Sequence, residues 1–265
     1  MIDLNGKGYR DVFNAVLKTQ LGLYLAKSDI RQRYRRSTLG PFWITISTAV
    51  MVACIGLIFG RLFKSPMQEF LPFITSGLII WGFISSTINE ATTVFVNSEA
   101  IIKQLPLPLF LHVIRMVARN CYIFFHNILI YPFVCIFVEK SLGLPALLIV
   151  PGFILLVVNL LWLSLLIGII CTRYRDMPQI ILSLLQIAFY VTPIIWMPSS
   201  LKGRAGALIL EPNPFYHLIE IIRAPLLNSF PTLLNWTVAG VIAGAGWLIT
   251  LVFYNKYKQR ISYWL

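Results

Sequence analysis

Long apolar runs separated by short polar connections occupy most of the chain. Six of them approach the about 20 residues that a helix needs to cross a bilayer. They lie at roughly 42–60, 70–88, 121–138, 144–171, 179–197 and 236–254. Lipid offers no partner for backbone polar groups, so each run is predicted to be helical. The pattern predicts an all-α integral membrane protein with six transmembrane helices in residues 42–265, preceded by a separate segment at 1–41.

The N-terminal segment has a different pattern. Within 10–36, apolar residues recur three and four positions apart while Asp11, Asn14 and Lys18 lie elsewhere around the helix. The apolar positions are Phe13, Val16, Leu17, Leu21, Tyr24 and Leu25. This pattern predicts one amphipathic helix in the membrane surface. The alternative is a soluble helix packed on a partner.

The connection at about 96–110 has the signals of a short helix. Asn97 or Ser98 is a candidate cap, and Glu99 falls in the first turn, where a negative charge is favourable. Leu105-Pro106-Leu107-Pro108 then stops the helix. We expect a docking segment here, with an ordinary loop as the alternative.

The connection at about 198–235 is too long for a simple turn. Glu211-Pro212-Asn213-Pro214 divides it, and Glu220 and Arg223 are three positions apart, close enough to pair. Apolar residues recur at helical spacing after the break, at Phe215, Leu218, Ile219, Ile222 and Leu226. The pattern predicts two short helices dipping into the outer leaflet, and a loose loop is the alternative.

Composition and charge agree with membrane insertion. The chain is 58% apolar and 12% charged, whereas soluble domains contain about 45–50% apolar and about 25% charged residues. The net charge of +12 follows loop position, since 16 of the 22 Lys and Arg lie in the N-terminal segment, the C-terminal segment and the two connections on their side. This bias predicts both termini in the cytoplasm. It argues against a nucleic-acid partner, which would require the charge on one folded face.

Catalytic chemistry is sparse. The predicted topology separates the histidines from the aspartates, no cluster has metal-ligand spacing, and no phosphate-binding Gly-x-x-x-x-Gly-Lys-Ser/Thr loop occurs. We therefore predict a transport subunit rather than an enzyme, with no cofactor of its own. A membrane-bound sugar or acyl transferase is the alternative from another class. It would use one of the predicted outer carboxylates, which are Glu69, Glu139, Glu211 and Glu220.

Polar and aromatic residues in the spans are candidates for a transport pathway, because such groups avoid lipid. Arg115 and Arg119 share a helical face with Tyr122 and His126. These two arginines are more simply interpreted as membrane-interface anchors. Span two carries Ser85, Ser86, Asn89 and Glu90 toward its inner end. The predicted channel lining is Tyr122, His126, Phe189, Tyr190 and Trp196. Hydrogen bonding between helices without transport is the alternative.

A basic and aromatic cluster precedes the first run. It reads Arg33-Tyr34-Arg35-Arg36-Ser37-x-Leu39-Gly40-Pro41-x-Trp43. With the six runs, the Glu99…Lys103…Leu105-Pro106 connection and Asn213-Pro214…Glu220…Arg223, it resembles the membrane subunits of type-2 ABC exporters of bacterial surface polysaccharide. The likeness covers nearly the whole chain and is closest to the O-antigen permeases of lipopolysaccharide biosynthesis, with capsule and teichoic acid permeases as near relatives.

The resemblance implies a homodimer in the bacterial inner membrane, with two ATPase subunits that bind ATP and Mg. The substrate would be a polysaccharide on a polyprenyl diphosphate lipid. The resemblance assigns ATPase coupling to Asn97, Ser98, Glu99, Ile102, Lys103 and Leu105. We place a channel entrance that attracts the lipid headgroup at Arg31, Arg33, Tyr34, Arg35, Arg36, Leu39 and Gly40, for which plain membrane anchoring is the alternative. The resemblance assigns an outer gate to Asn213, Pro214, Phe215, Glu220 and Arg223. A type-2 ABC pump for a drug or small lipid is the alternative within transport.

Overall fold

The structure is a computed structural model that describes residues 7–35, 40, 42–62, 66–198 and 208–265. Regular structure in these residues is helical. The helices are α1 Lys7–Leu17, α2 Thr19–Arg33, α3 Phe42–Leu62, α4 Met67–Ala91, α5 Glu99–Gln104, α6 Phe110–Asn127, α7 Ile130–Phe137, α8 Ile149–Arg173, α9 Met177–Val191, α10 Pro214–Leu226 and α11 Leu233–Trp264. Short 3-10 turns at Val96–Ser98 and Leu144–Leu148 precede α5 and α8. Residues 199–207, part of the predicted outer gate segment, lie outside the described residues.

Four helical segments of the described chain are long and apolar enough to cross a membrane. They are Met67–Ala91, Phe110–Phe137, Leu144–Arg173 and Leu233–Trp264. They confirm the second, third, fourth and sixth predicted runs as helices of spanning length. The first and fifth runs contain shorter apolar helices, Phe42–Ile58 and Met177–Val191, so the count of six stays a prediction.

One predicted boundary was wrong. The fifth run was expected to continue through residue 197, but α9 ends at Val191 and Thr192 is extended, with ψ of 136°. Pro193 disfavours helical geometry in the residue before it, which stops the helix there. The third apolar run was predicted from residue 121 with a helical inner extension that contains Arg115 and Arg119, and the helix starts at Phe110. The reason is that Arg115 and Arg119 find partners inside the protein and the helix includes them.

The N-terminal segment is two helices rather than the single one predicted, since the chain breaks at Lys18 between α1 and α2. We call these helices the N-terminal pair. Most of the predicted apolar stripe points away from the protein, with Phe13, Leu17 and Tyr24 at 64%, 68% and 72% exposed. The opposite side of the pair packs on α6 and α11. Exposed apolar groups on one side and protein contacts on the other fit a helix pair that also meets lipid.

Helix α4 forms the centre of the bundle. It contacts α3, α6, α8, α9 and α10, and 83% of its apolar stretch is buried inside the chain, against 22% for α11. Helix α11 packs along α8 and receives α1 at its far end. At that contact Gly8 lies so near Asn255 that a Cβ would come within 2.7 Å of the Asn255 backbone. The absence of a side chain at Gly8 lets its N–H donate to Asn255 Oδ1 at 2.9 Å.

Candidate functional site

A network of charged side chains joins the N-terminal pair to the bundle. Asp29 of α2 accepts hydrogen bonds from both Arg115 and Arg119 of α6, at 2.7 Å from Arg115 Nε and 2.9 Å from Arg119 Nη1. Arg119 also donates to Glu90 Oε2 of α4 at 2.7 Å. Three helices therefore meet at two carboxylates and two guanidinium groups. The arginines were predicted as interface anchors, and the structure gives them protein partners instead.

The network extends further along α4 and α6. Asn120 donates to Glu90 Oε2 at 2.8 Å and accepts from Ser86 Oγ at 2.9 Å. Arg33 of α2 forms a looser ion pair with Glu90, at 3.7 Å. These bonds satisfy groups that would be costly to leave unpaired in a low-dielectric bundle. We call Asp29, Glu90, Arg115 and Arg119 the charged junction.

The charged junction perturbs Asp29. Burial by itself would raise the pKa of this carboxyl, but the hydrogen bond and charge of Arg115, together with Arg119, outweigh burial. The pKa of Asp29 is therefore lower than its ordinary value. The carboxylate stays ionised and keeps both arginines paired.

A second aspartate ties α1 to the same end of the bundle. Asp11 is 6% exposed and accepts from the backbone N–H of Leu109 and Phe110, at 3.3 and 3.1 Å. It also accepts from Tyr254 Oη at 2.6 Å and pairs with Lys258 Nζ at 2.9 Å. A carboxylate at the start of α6 satisfies free N–H groups and suits the positive end of the helix dipole. Asp11 was predicted to lie away from the apolar stripe with Asn14 and Lys18, and in the structure those two are exposed while Asp11 faces the protein.

The connection between α4 and α6 contains the predicted short helix, α5. Glu99 and Lys103 form an ion pair one turn apart at 2.6 Å. Val96 and Leu105 are about half exposed, and Ile102 is partly buried. The predicted side-chain cap was wrong, since Ser98 occupies the cap position without a side-chain cap hydrogen bond. Asn97 instead donates to Thr93 Oγ1 at 2.9 Å, and this local bond competes with capping.

The predicted entrance residues are spread around the end of α2. Arg31 and Arg35 are exposed, Tyr34 is partly buried, and Arg33 pairs with Glu90. Gly40 has a φ of 56°, the left-handed region that glycine adopts without strain. Arg36 and Leu39 lie outside the described residues.

The predicted channel residues fall into two groups. Phe189 lines an open cavity of about 340 Å³ between α4 and α9, and its ring lies 5.9 Å from that of Trp81. Tyr190 is on the exposed side of α9, and its carbonyl accepts from Trp196 Nε1 at 3.1 Å. The cavity is also lined by Ser85, Ser86, Asn89, Leu182, Leu185 and Gln186. Sequence reasoning noted the polar α4 residues of this cavity but missed Gln186.

The other two channel candidates lie elsewhere. Tyr122 lines an apolar groove between α6 and the N-terminal pair. The Nδ1 atom of His126 lies 2.7 Å from the Tyr122 carbonyl oxygen, and its ring packs against Phe42. The structure therefore does not bring Tyr122 or His126 together with Phe189.

The predicted outer gate residues cluster around α10. Asn213 caps the helix by accepting from the N–H of Phe215 and Tyr216, and it donates to Thr192 Oγ1 at 3.0 Å. Pro214 follows at the first helical position, where its missing N–H costs nothing. Phe215 packs edge-on against Trp81. The cluster thus connects α10 to the end of α9 and to α4.

Arg223 is the most buried charge of this cluster. It is 0% exposed and donates to Glu220 Oε2 from two nitrogens, at 2.9 and 2.6 Å. It also donates to the Pro193 carbonyl, and its guanidinium lies 4.3 Å from the centre of the Phe73 ring. The predicted pairing of Glu220 with Arg223 is confirmed. The sequence contained no signal for the contacts with Pro193 and Phe73, which are distant in the chain.

Sequence reasoning missed the two aspartates that anchor the N-terminal pair. A possible signal was available for Asp29, because two arginines on one face of a span require acidic partners. Asp11 gave no such signal, since a polar residue in an amphipathic helix reads as solvent-facing. Among the described residues, no group of His, Cys, Asp or Glu is placed to hold a metal ion.

These features define an integral membrane protein built of packed helices, and comparison with known proteins identifies its family. A model of the family described as ABC-2 type transporter matches residues 20–227. The match covers well over half of the chain, so the protein belongs to the ABC-2 type transporter family. This confirms the resemblance inferred from the sequence and indicates a membrane permease.

Named relatives narrow the likeness. The "O-antigen export system permease protein RfbA" of Klebsiella pneumoniae is 21% identical over 245 residues, covering 90% of this chain and 92% of that protein. A protein of the same name from Myxococcus xanthus is 22% identical over 204 residues, covering 76% of this chain and 77% of that protein. The chain is therefore similar to O-antigen export permeases over most of its length.

Proposed function

We propose that the protein is the transmembrane subunit of an ATP-driven exporter that moves lipid-linked O-antigen or a related polysaccharide across the bacterial inner membrane. Two copies form the channel, and two separate ATPase subunits supply the energy. Family membership supports transport over a transferase. The names of the relatives favour polysaccharide over a drug or small lipid.

The observation that carries this proposal is the mixed lining of the cavity between α4 and α9. Trp81 and Phe189 contribute aromatic rings to the lining, while Ser85, Asn89 and Gln186 contribute hydrogen-bonding groups. Sugar rings present apolar C–H faces beside hydroxyls, so aromatic rings next to amides and hydroxyls suit them. A purely apolar acyl chain would gain nothing from the polar groups.

The exposure of α9 supports a homodimer. Leu184, Ile187 and Tyr190 are 57–60% exposed in the single chain, and a different face of α9 lines the open cavity. A second copy across the open side of the cavity would turn two open half-sites into one conduit. A C2 pair is the commonest way to assemble identical chains.

Orientation and substrate entry follow from the basic residues. We propose cytoplasmic termini and a basic segment, Arg31, Arg35 and Arg36, that binds the diphosphate of the lipid carrier through charge-assisted hydrogen bonds. Of these, Arg31 and Arg35 are exposed in the described residues. Arg33 is less available, because it already pairs with Glu90 at 3.7 Å. Export by a variant with Arg31, Arg35 and Arg36 replaced by Gln should fall while membrane insertion stays normal. Unchanged export would contradict this part of the proposal.

A matched pair of glutamines on α9 tests the conduit. Gln186 and Gln179 are both exposed, but only Gln186 lines the cavity. In a host lacking its own permease but holding the matching ATPase, Gln186→Leu should reduce surface polysaccharide several-fold while Gln179→Leu leaves it unchanged. Equal export by the two variants, at equal protein levels, would refute the assigned conduit. Export that persists with a hydrolysis-defective ATPase would refute the function.

A further inference from the structure

An apolar groove of about 590 Å³ lies between the N-terminal pair and the bundle. One wall is a stripe of the pair, formed by Val12, Val16, Thr19 and Leu23. These positions are three or four residues apart, so they follow one helical face through the break at Lys18. The groove shares no lining residue with the cavity between α4 and α9, and the proposed transport pathway therefore does not account for it.

The other wall and the floor belong to segments long enough to span a membrane. Helix α6 contributes a stripe from Phe110 to Phe125, and Leu161 of α8 and Trp247 of α11 lie at the floor. At 1.5 Å per residue the α6 wall is about 22 Å long. One leaflet of a hydrocarbon core about 30 Å thick is about 15 Å deep. The groove is thus long enough for one extended lipid chain from a single leaflet.

The rim of the groove is open and apolar. Val16 and Leu23 on one side and Phe125 on the other are 55%, 42% and 52% exposed. In an integral membrane protein such a rim faces hydrocarbon, because water beside it would be unfavourable. The N-terminal pair takes the place of lipid headgroups at the depth where it lies. The space between the pair and α6 must still be filled by other groups. A void there would lose the dispersion contacts of every lining side chain.

We propose that this groove is a binding site for one acyl chain of a membrane phospholipid in the leaflet that contains the N-terminal pair. The chain lies along α6, beneath Val16 and Leu23, and fills the seam between the pair and the bundle. Lys18 is exposed at the helix break beside the groove and suits a phosphate headgroup. The proposal depends on membrane insertion and does not require that the cargo be a polysaccharide.

Photo-cross-linking of the full chain tests the site. The protein is reconstituted in vesicles of phosphatidylethanolamine and phosphatidylglycerol that contain a phosphatidylethanolamine with a diazirine midway along one acyl chain. Labelled residues are then mapped by mass spectrometry. Residues 110–125 should label at about three times the yield of residues 248–252 of α11, because a seated chain keeps more carbon contacts than a passing one. Several residues of that α11 stretch are exposed and apolar, so they report ordinary lipid contact.

Groove-filling variants separate a seated chain from general exposure. Val16→Trp places an indole in the groove from its exposed rim and should bring labelling of residues 110–125 down to the α11 value. Leu17→Trp is the matched control, since Leu17 is 68% exposed and does not line the groove. If Val16→Trp folds poorly, Leu23→Trp with Leu21→Trp as its control makes the same comparison on α2.

Several results would overturn the proposal. Labelling of residues 110–125 that only equals the α11 value, or that Val16→Trp leaves unchanged, would show that no chain is seated. Protein–protein cross-links across the groove would assign it to a second copy. Loss of labelling when a small fraction of polyprenyl phosphate is added would assign it to a carrier lipid rather than a phospholipid.

Discussion

At the scale of single residues, Asp29 connects the N-terminal pair to the charged side chains of the bundle. Its two oxygens serve Arg115 and Arg119, and Arg119 continues to Glu90. Neither arginine is more than 21% exposed along its side chain, so water substitutes poorly for a lost partner. The pairing lets α6 continue past two positive charges toward its start at Phe110.

Replacing this carboxylate by an amide should therefore destabilise the protein. Asp29→Asn leaves two arginines with weaker partners. We expect the free energy of unfolding to fall by about 2–4 kcal/mol, which is less than for a completely buried pair because the junction is partly hydrated. The thermal midpoint of the detergent-solubilised protein, followed by tryptophan fluorescence, measures it. Asp176→Asn, at an exposed aspartate, is the control and should change little.

The same residue predicts a pH dependence. The pKa of Asp29 is lower in the folded protein than its ordinary value, so ionised Asp29 contributes stability above the unfolded pKa. That contribution is lost as pH falls through the lower, folded pKa. Between neutral pH and acid, the midpoint of the wild type should therefore fall more than that of Asp29→Asn. Parallel curves for the two proteins would contradict the assignment.

Arg223 is the second residue with a specific prediction. Arg223→Lys keeps the charge but loses the forked contact with Glu220, the bond to the Pro193 carbonyl and part of the stacking on Phe73. We expect the free energy of unfolding to fall by about 2–4 kcal/mol, because a buried charged group without its hydrogen-bond partners destabilises the folded state. Arg10→Lys, on the exposed side of α1, should be neutral in the same unfolding experiment. Equal midpoints for both variants would show that the buried fork contributes nothing.

Residue-scale features differed in how far they could be predicted. The pairing of Glu220 with Arg223 followed from a spacing of three on one helix. The role of Asp11 did not, because its partners Phe110, Tyr254 and Lys258 are far away in the chain and only packing brings them together. Local spacing carries information over one or two helical turns and no further.

At the scale of elements, helix packing depends on small residues at close approaches. Gly246 of α11 faces the Trp162 ring of α8 so closely that a Cβ would lie 2.2 Å from a ring atom. The indole N–H of Trp162 donates to Asn159 Oδ1 at 3.2 Å, which limits how the ring can move. Close contact of α8 with α11 thus requires glycine at this position.

Matched glycine substitutions on α11 test this contact. Gly246→Ala should lower the free energy of unfolding by about 1–3 kcal/mol, because the Trp162 ring must shift within a packed interface. Gly240→Ala should be neutral or stabilising by up to about 1 kcal/mol, because nothing of the chain lies near its Cβ and alanine favours helix. Unfolding midpoints of the two variants give the comparison, and a neutral Gly246→Ala would mean that the contact relaxes freely.

The elements themselves were largely predictable, and their ends were less so. Apolar run length identified the four long spans because only helices satisfy their backbone in lipid. The helix break at Lys18 could not be predicted from a Pro or Gly, because that position has neither. The break allows two separate contacts, of Asp11 with the start of α6 and of Asp29 with Arg115 and Arg119. The end of α9 at Val191, by contrast, was readable from Pro193.

At the scale of the whole molecule, the connection through α5 is the predicted contact with the ATPase. Both α5 and the charged junction adjoin the end of α4 and α6 that is proposed to be cytoplasmic, and Asn97 and Ser98 line one small cavity with Glu90 and Arg119. This proximity motivates a test in which the fold is kept and only docking is altered.

An exposed leucine after α5 provides that test. Leu105→Asp should reduce copurification of the ATPase about tenfold or more, because a charge disrupts an apolar docking surface. It should change stability by less than about 0.5 kcal/mol, since Leu105 is 53% exposed. Tyr263→Asp, at an 87% exposed residue near the end of α11, is the control. Normal ATPase recovery with Leu105→Asp would place the contact elsewhere.

The sequence alone was sufficient for the class of protein, the long helices, the short helix α5 and the pairing of Glu220 with Arg223. Each rests on local periodicity, on hydrophobic run length or on motif order, all of which are written in adjacent residues. Tertiary structure alone decided that Asp11 and Asp29 face the bundle, that Gln186 joins Trp81 and Phe189 in one cavity, and that Tyr122 lines a different groove. Those outcomes depend on which faces of distant helices meet, and that is settled by packing and burial of the whole chain.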